Sequence, residues 1–151
     1  MIGQYHAVMA RARWFSPTAL LLVIAGGALG VAARALLTVP LTGHTHPLVV
    51  PGIILGVNLL GSLLLGVVIG RLDDRHPLAR LFLGTGVMGG FTTYSAFAVQ
   101  SVTVSTAAPL VGLALIAVSV FGGVVAAAAG LALGRRVAGR PGEVERVEEA
   151  E

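Results

Sequence analysis

Cysteine and lysine are absent from this chain of 151 residues, and charge of either sign is scarce, at 11%. Without cysteine there is no disulfide, no thiolate zinc site and no thiol nucleophile. Every basic residue is therefore an arginine, and the arginines sit at the edges of apolar runs rather than in one patch. That placement follows membrane topology and argues against nucleic acid as the partner of a chain with formal net charge +3. No aspartate or glutamate falls inside an apolar run; the acids are Asp73, Asp74, Glu143, Glu145, Glu148, Glu149 and Glu151. A proton-coupled exporter needs a titratable carboxylate within the membrane, which disfavours the small four-span drug exporters. No serine–histidine–acid grouping stands out, and His44 and His46 read as solvated loop residues rather than metal ligands. The chain does not read as an enzyme.

What is present is apolar: 56% of the residues are hydrophobic. Residues 17–39, 48–70, 78–102 and 108–134 are each long enough for the roughly 20-residue crossing of a bilayer by a helix. The fold class expected is therefore all-α and membrane-integral, with four transmembrane helices in a domain covering 17–134. Ser16 suits the N-cap of the first span and Pro17 its first helical position, while Pro40 ends it. The connections expected are 41–47, 71–77 and 101–107. Arg11 and Arg13 precede the first span as in a signal peptide, but the run is long for one and three more spans follow. It reads as a retained helix behind a cytoplasmic segment, 1–16. The end of the chain, 135–151, reads as a polar, disordered cytoplasmic tail.

The third span should be broken. Gly89-Gly90 is followed closely by the hydroxyl run Thr92-Thr93-Tyr94-Ser95. Lipid tolerates no unpaired backbone, so a break at that depth must face protein, an ion or a watery cavity. An unwound turn frees carbonyl oxygens for a hard cation, and helix ends at a break offer N–H groups to an anion. Tyr94 and Phe97 share one stripe, and ring edges are electropositive enough to face a small anion. On the second span Asn58 and Ser62 lie one turn apart. The amide is either interhelical glue or a donor to something passing through. Arg34 is the one charge within a span, a functional candidate that also lies near enough a helix end to snorkel. Glycines four apart (Gly26/Gly30, Gly52/Gly56, Gly66/Gly70, Gly86/Gly90, Gly130/Gly134) suggest close helix packing.

Three motifs carry a resemblance. They are Gly26-Gly-Ala-Leu-Gly-Val-Ala-Ala-Arg34, Gly56-Val-Asn-Leu-Leu-Gly-Ser62, and Gly86-x-x-Gly-Gly-Phe-Thr-Thr-Tyr-Ser-x-Phe97. In this order, in a four-span chain of this size, they resemble the Fluc/CrcB fluoride channels over about residues 18–134. The resemblance implies an antiparallel, dual-topology dimer in the lipid bilayer that lets fluoride leave the cytoplasm by passive diffusion. It implies that Asn58 and Ser62 line the pathway, that Tyr94 and Phe97 present ring edges to fluoride, and that Thr93 and Ser95 extend the polar wall. Ser119 of the fourth span matches a pore serine loosely. Arg34 would be structural. The carbonyls of Gly89 and Thr92, from both subunits, would hold a central structural Na⁺. Two positions depart from the family pattern: Tyr94 stands where phenylalanine is common, and Ala96 where threonine is.

Arginine placement then sets the orientation. With four spans, both termini and the 71–77 loop share one side, which holds Arg11, Arg13, Arg71, Arg75, Arg80, Arg135, Arg136, Arg140 and Arg146. The positive-inside rule puts that side in the cytoplasm of a bacterium, across its inner membrane. Such a bias opposes insertion of one sequence both ways up. The expectation is a heterodimer with a homologous subunit of opposite orientation, the homodimer being the alternative. A reading from another class is a non-transporting membrane subunit whose Asn58 only bonds a neighbouring helix.

Overall fold

The computed structural model describes residues 16–41, 43, 46–72 and 76–139. Segment 1–15, residues 140–151, His44, Asp73, Asp74 and Arg75 lie outside the described residues, and with them Arg11, Arg13, Arg140, Arg146 and most of the expected tail. Every described element is helical. Helix α1 spans Pro17–Thr38 and ends in a 3₁₀ turn, Val39–Leu41. Ser16 Oγ accepts from the Ala19 N–H at 3.4 Å, so serine and proline start the helix as expected. Helix α2 spans Val49–Leu72. Helix α3 covers 77–91 in three windings: an α-turn Pro77–Arg80, a π-helical stretch Leu81–Met88 and another α-turn Gly89–Phe91. Helix α4 is Tyr94–Ala107 and helix α5 is Pro109–Val137.

Helices α1, with its 3₁₀ turn, α2 and α5 are long and apolar enough to cross a bilayer. Helices α3 and α4 are each about half that length. The expected break is therefore present, at Thr92–Thr93 within the expected stretch 89–94; the glycine pair alone departs from expectation, since the helix winds through Gly89, Gly90 and Phe91. The glycine pair does not unwind because Gly90 is needed for packing against α1. The connection expected at 101–107 is also corrected. Those residues are helical, and within the helix Thr103 Oγ1 donates to Val99 O at 2.9 Å and Thr106 Oγ1 to Thr103 O at 2.8 Å. Hydroxyls that resemble loop residues in sequence are satisfied within the helix. Pro109, which disfavours helix at the residue before it, leaves Ala108 alone as the turn. Helix α5 also runs three residues beyond the expected 134, placing Arg135 and Arg136 in its last turn, where cations favour the C-terminal dipole.

Glycine brings backbones together in two parallel pairs. A Cβ on Gly26 would lie 3.0 Å from Gly86 Cα, and one on Gly30 would strike Val87 O and Phe91 N. Helix α1 thus runs alongside α3 in the same direction. Gly66 and Gly70 meet Ala127, Leu131 and Arg135, while Gly130 and Gly134 meet Leu63, Val67 and Arg71, so α2 and α5 pair likewise. Dispersion between close backbones, rather than hydrophobic burial, holds such contacts in lipid. The π-helical winding lets Gly86 face α1 while Gly84 faces Leu65 and Val68 of α2. Gly52 and Gly56 are the exception to the packing expectation: nothing lies within 4 Å of a Cβ built on either. Outer faces stay apolar and uncovered, with Leu36 78%, Leu110 83% and Phe121 71% exposed.

These contacts set a prediction. Gly30→Ala should destabilise the fold by about 1–3 kcal/mol through overpacking against α3. Gly27→Ala, one turn away with its nearest neighbour at 4.0 Å, should be tolerated. Thermal unfolding of the two variants in detergent checks the difference.

Candidate functional site

The break is two extended residues, Thr92 (φ −76°, ψ 159°) and Thr93 (φ −144°, ψ 110°). Its exposed peptide groups find partners in side chains. Asn58 of α2 spans Thr93 from both sides: the Thr93 N–H donates to Oδ1 at 2.8 Å, and Nδ2 donates to Thr93 O at 3.1 Å. Thr93 Oγ1 then caps α4 by accepting from the Ala96 N–H at 3.2 Å, and lies 3.3 Å from Ser95 Oγ. At the end of α3, the Thr92 N–H and Oγ1 both donate to Met88 O at 3.0 Å. Gly61 is required beneath this arrangement, because a Cβ there would strike the Thr92 methyl.

The diverted donors have a consequence for the carbonyls. In a continuous helix the Thr93 N–H would bond Gly89 O and the Ala96 N–H would bond Thr92 O. Both donors are committed elsewhere, to Asn58 and to Thr93 Oγ1. Gly89 O and Thr92 O thereby lose their helical partners, and these are the carbonyls expected to face a cation. Oxygen is the donor that a hard cation such as Na⁺ takes, usually about six or more at once for the better-known hard ions. One chain offers only part of such a shell. Among the described residues no group of three or more His, Asp or Glu could hold a metal.

Asn58, Ser62, Gly89, Thr92, Thr93, Tyr94, Phe97 and Ser119 line one groove of about 500 Å³. Thr93 is buried, at 7% exposed, whereas Tyr94 is 82% exposed. The Tyr94 and Phe97 rings stand 6.2 Å apart, tilted by 51°. Ser119 Oγ is buried with no hydrogen-bond partner beside the groove. Ser95 does not line the groove but supports it through Thr93. Arg34 lies apart from it on α1, one turn before the helix end, where its carbonyl accepts from Thr38 Oγ1 at 3.0 Å. No carboxylate lines the groove among the described residues. Sequence reasoning missed Thr85 and Met88, which also line it. Thr85 had a readable signal, a hydroxyl one turn before Gly89 on the same helix.

Fold and groove together define an integral membrane protein with an interrupted helix facing a mostly apolar groove that carries an amide and several hydroxyl residues. Residues 21–131 match the family model described as CrcB-like protein, Camphor Resistance (CrcB). A protein of Leifsonia xyli subsp. xyli named fluoride-specific ion channel FluC 2 is 42% identical over 130 residues, 82% of this chain and 88% of its own length. Proteins of the same name from Corynebacterium jeikeium and Bacillus subtilis are 42% identical over 132 residues and 39% identical over 119 residues. The alignments cover 76% and 78% of this chain, and 78% and 88% of those proteins. The chain belongs to the CrcB-like family. Its relatives are named as channels rather than enzymes.

The amide bridge makes a prediction. Asn58→Ala leaves both peptide groups of Thr93 unpaired, each costing about 1–3 kcal/mol when buried. Hydrogen exchange at the Thr93 amide should accelerate strongly, while amides within α1 keep their protection.

Proposed function

We propose that this protein is a fluoride-selective channel that lets F⁻ leave the cytoplasm by passive electrodiffusion and so protects the cell. The observation that carries this reading is the break at Thr92–Thr93, fixed by Asn58 and flanked by Tyr94 and Phe97 in a groove without carboxylates. Fluoride is small and tightly hydrated, so its passage needs dense fixed donors to replace water. The second N–H of Asn58, the hydroxyls of Ser62, Thr93 and Ser119, and the ring edges of Tyr94 and Phe97 form such a set, with Ser95 behind them. Kinship with proteins named as fluoride-specific ion channels supports the choice of ion. Among the described residues no carboxylate lines the groove, and in this reading the driving force is the membrane potential, about 2.3 kcal/mol per charge per 100 mV.

In this reading residues 77–107 together form the broken third of four crossings. Both termini lie in the cytoplasm, below the inner membrane of a bacterium. Arg71 and Arg135 support that orientation, since the parallel packing of α2 and α5 gathers them at one end. The working unit is an antiparallel dual-topology dimer, and charge bias favours a homologous subunit of opposite orientation over a second identical copy. Na⁺ is its structural cation. The carbonyls of Gly89 and Thr92 from both subunits would hold it, and its charge would draw together helix ends that otherwise present only unpaired oxygens.

Vesicles reconstituted with the full chain and a homologous partner should lose fluoride and retain chloride, with no dependence on a pH gradient, and vesicles holding the full chain alone should lose little. Phe97→Ile should slow fluoride loss by on the order of tenfold, the equivalent of about 1.4 kcal/mol. Unchanged efflux in that variant would contradict the pathway, and chloride loss would contradict the selectivity. Labels on the termini should appear on one face only; comparable labelling of both faces by a fluoride-conducting sample of this chain alone would overturn the heterodimer. Exchanging Na⁺ for a large organic cation during purification should reduce efflux.

A further inference from the structure

Among the described residues, two buried side-chain oxygens have no hydrogen-bond partner: Ser119 Oγ, already placed in the groove, and Ser101 Oγ. Ser101 sits on α4, one turn past Phe97, and is only 5% exposed. A buried helical hydroxyl ordinarily returns its hydrogen to the carbonyl one turn back. Thr38, Thr92 and Thr103 do so, onto Arg34, Met88 and Val99. Ser101 does not bond the Phe97 carbonyl, although the same device is open to it. Ser101 borders a second groove of about 240 Å³, together with Val102, Ser105, Thr106 and Ile116, with its oxygen buried at the groove's edge.

The two grooves have no lining residue in common, but both draw on α4 and α5. On α4, Tyr94, Phe97, Ser101 and Ser105 recur at helical spacing and so fall on one face. On α5, Ser119, Ile116 and Gly112 do the same. Gly112 brings Ser105 against α5, since a Cβ there would strike the serine side chain. A line of hydroxyls therefore leaves the break along the α4–α5 seam and heads for the turn at Ala108.

We infer that Ser101 is a further station of the ion path, its hydroxyl donating to fluoride as the anion leaves the aromatic pair for the α4–α5 end of the membrane. This rests on the fluoride-channel reading. A buried hydroxyl uncommitted to any protein acceptor is a ready donor to a partly dehydrated anion. Val102 and Ile116 flank it, and Ser105 and Thr106 line the same groove.

Fluoride efflux from vesicles bearing the full chain, with and without the homologous partner, tests the assignment in wild type, Ser101→Ala and Ser101→Thr. Ser101→Ala should slow efflux about tenfold, the loss of one hydrogen bond to an ion, and Ser101→Thr, which keeps the hydroxyl, should restore most of it. Both variants should elute and melt like wild type. Equal efflux in wild type and Ser101→Ala overturns the assignment and leaves the channel reading intact. Equal loss in both variants, or a lowered melting temperature in Ser101→Ala matching its loss of efflux, marks a packing residue and also overturns it. Absence of fluoride efflux from wild type in both reconstitutions overturns the channel reading and the assignment together.

Discussion

Everything distinctive about this fold depends on one side chain satisfying a peptide unit that no helix can. Extended backbone at Thr93 would leave a donor and an acceptor bare in an apolar setting, which is costly. The Asn58 amide has one acceptor and more than one donor on a planar end, so it closes on both groups at once. A serine could meet only one of them at a time with comparable geometry, and an aspartate could not donate once ionised. The interruption is thus a specified conformation, with α2 as its template, rather than a weak point in a helix.

Around that fixed point the glycines divide into those that join helices and those that face outward. The α1–α3 and α2–α5 pairs bring backbone onto backbone, which leaves large apolar side chains on the outside. Only 6% of the most apolar stretch of α5 is buried within the subunit. A soluble protein could not hold such a surface in water, whereas lipid or a second subunit covers it without penalty. The groove lies where the two pairs meet, at the seam between α2, the break and α5.

The membrane class, the long spans and the pairing of most glycines were legible because hydropathy and four-residue spacing act locally along the chain. The break was legible in kind and within a few residues in place, but not in which residues unwind. Gly89-Gly90 attracted attention as the flexible point, yet Gly90 is held helical by the close approach of Gly27, a contact invisible without the fold. Thr103 and Thr106 resembled a loop, but they are helical and bond carbonyls one turn back. The π-helical winding of Leu81–Met88 left no mark in the residue pattern. Among site residues, Asn58 and Thr93 were each visible, but their mutual bond joins positions 35 apart and belongs to tertiary structure. Gly52 and Gly56 show the reverse failure, a packing motif that meets nothing in its own subunit.

The sequence separation of that bond bears on how the protein is made. Chains are synthesised from the N-terminus, so the asparagine reaches the bilayer ahead of the threonines. When the kinked segment follows, its template already stands beside the insertion route, and the bare peptide unit need not wait in hydrocarbon for a later helix to arrive. Biosynthetic order and structural dependence run in the same direction.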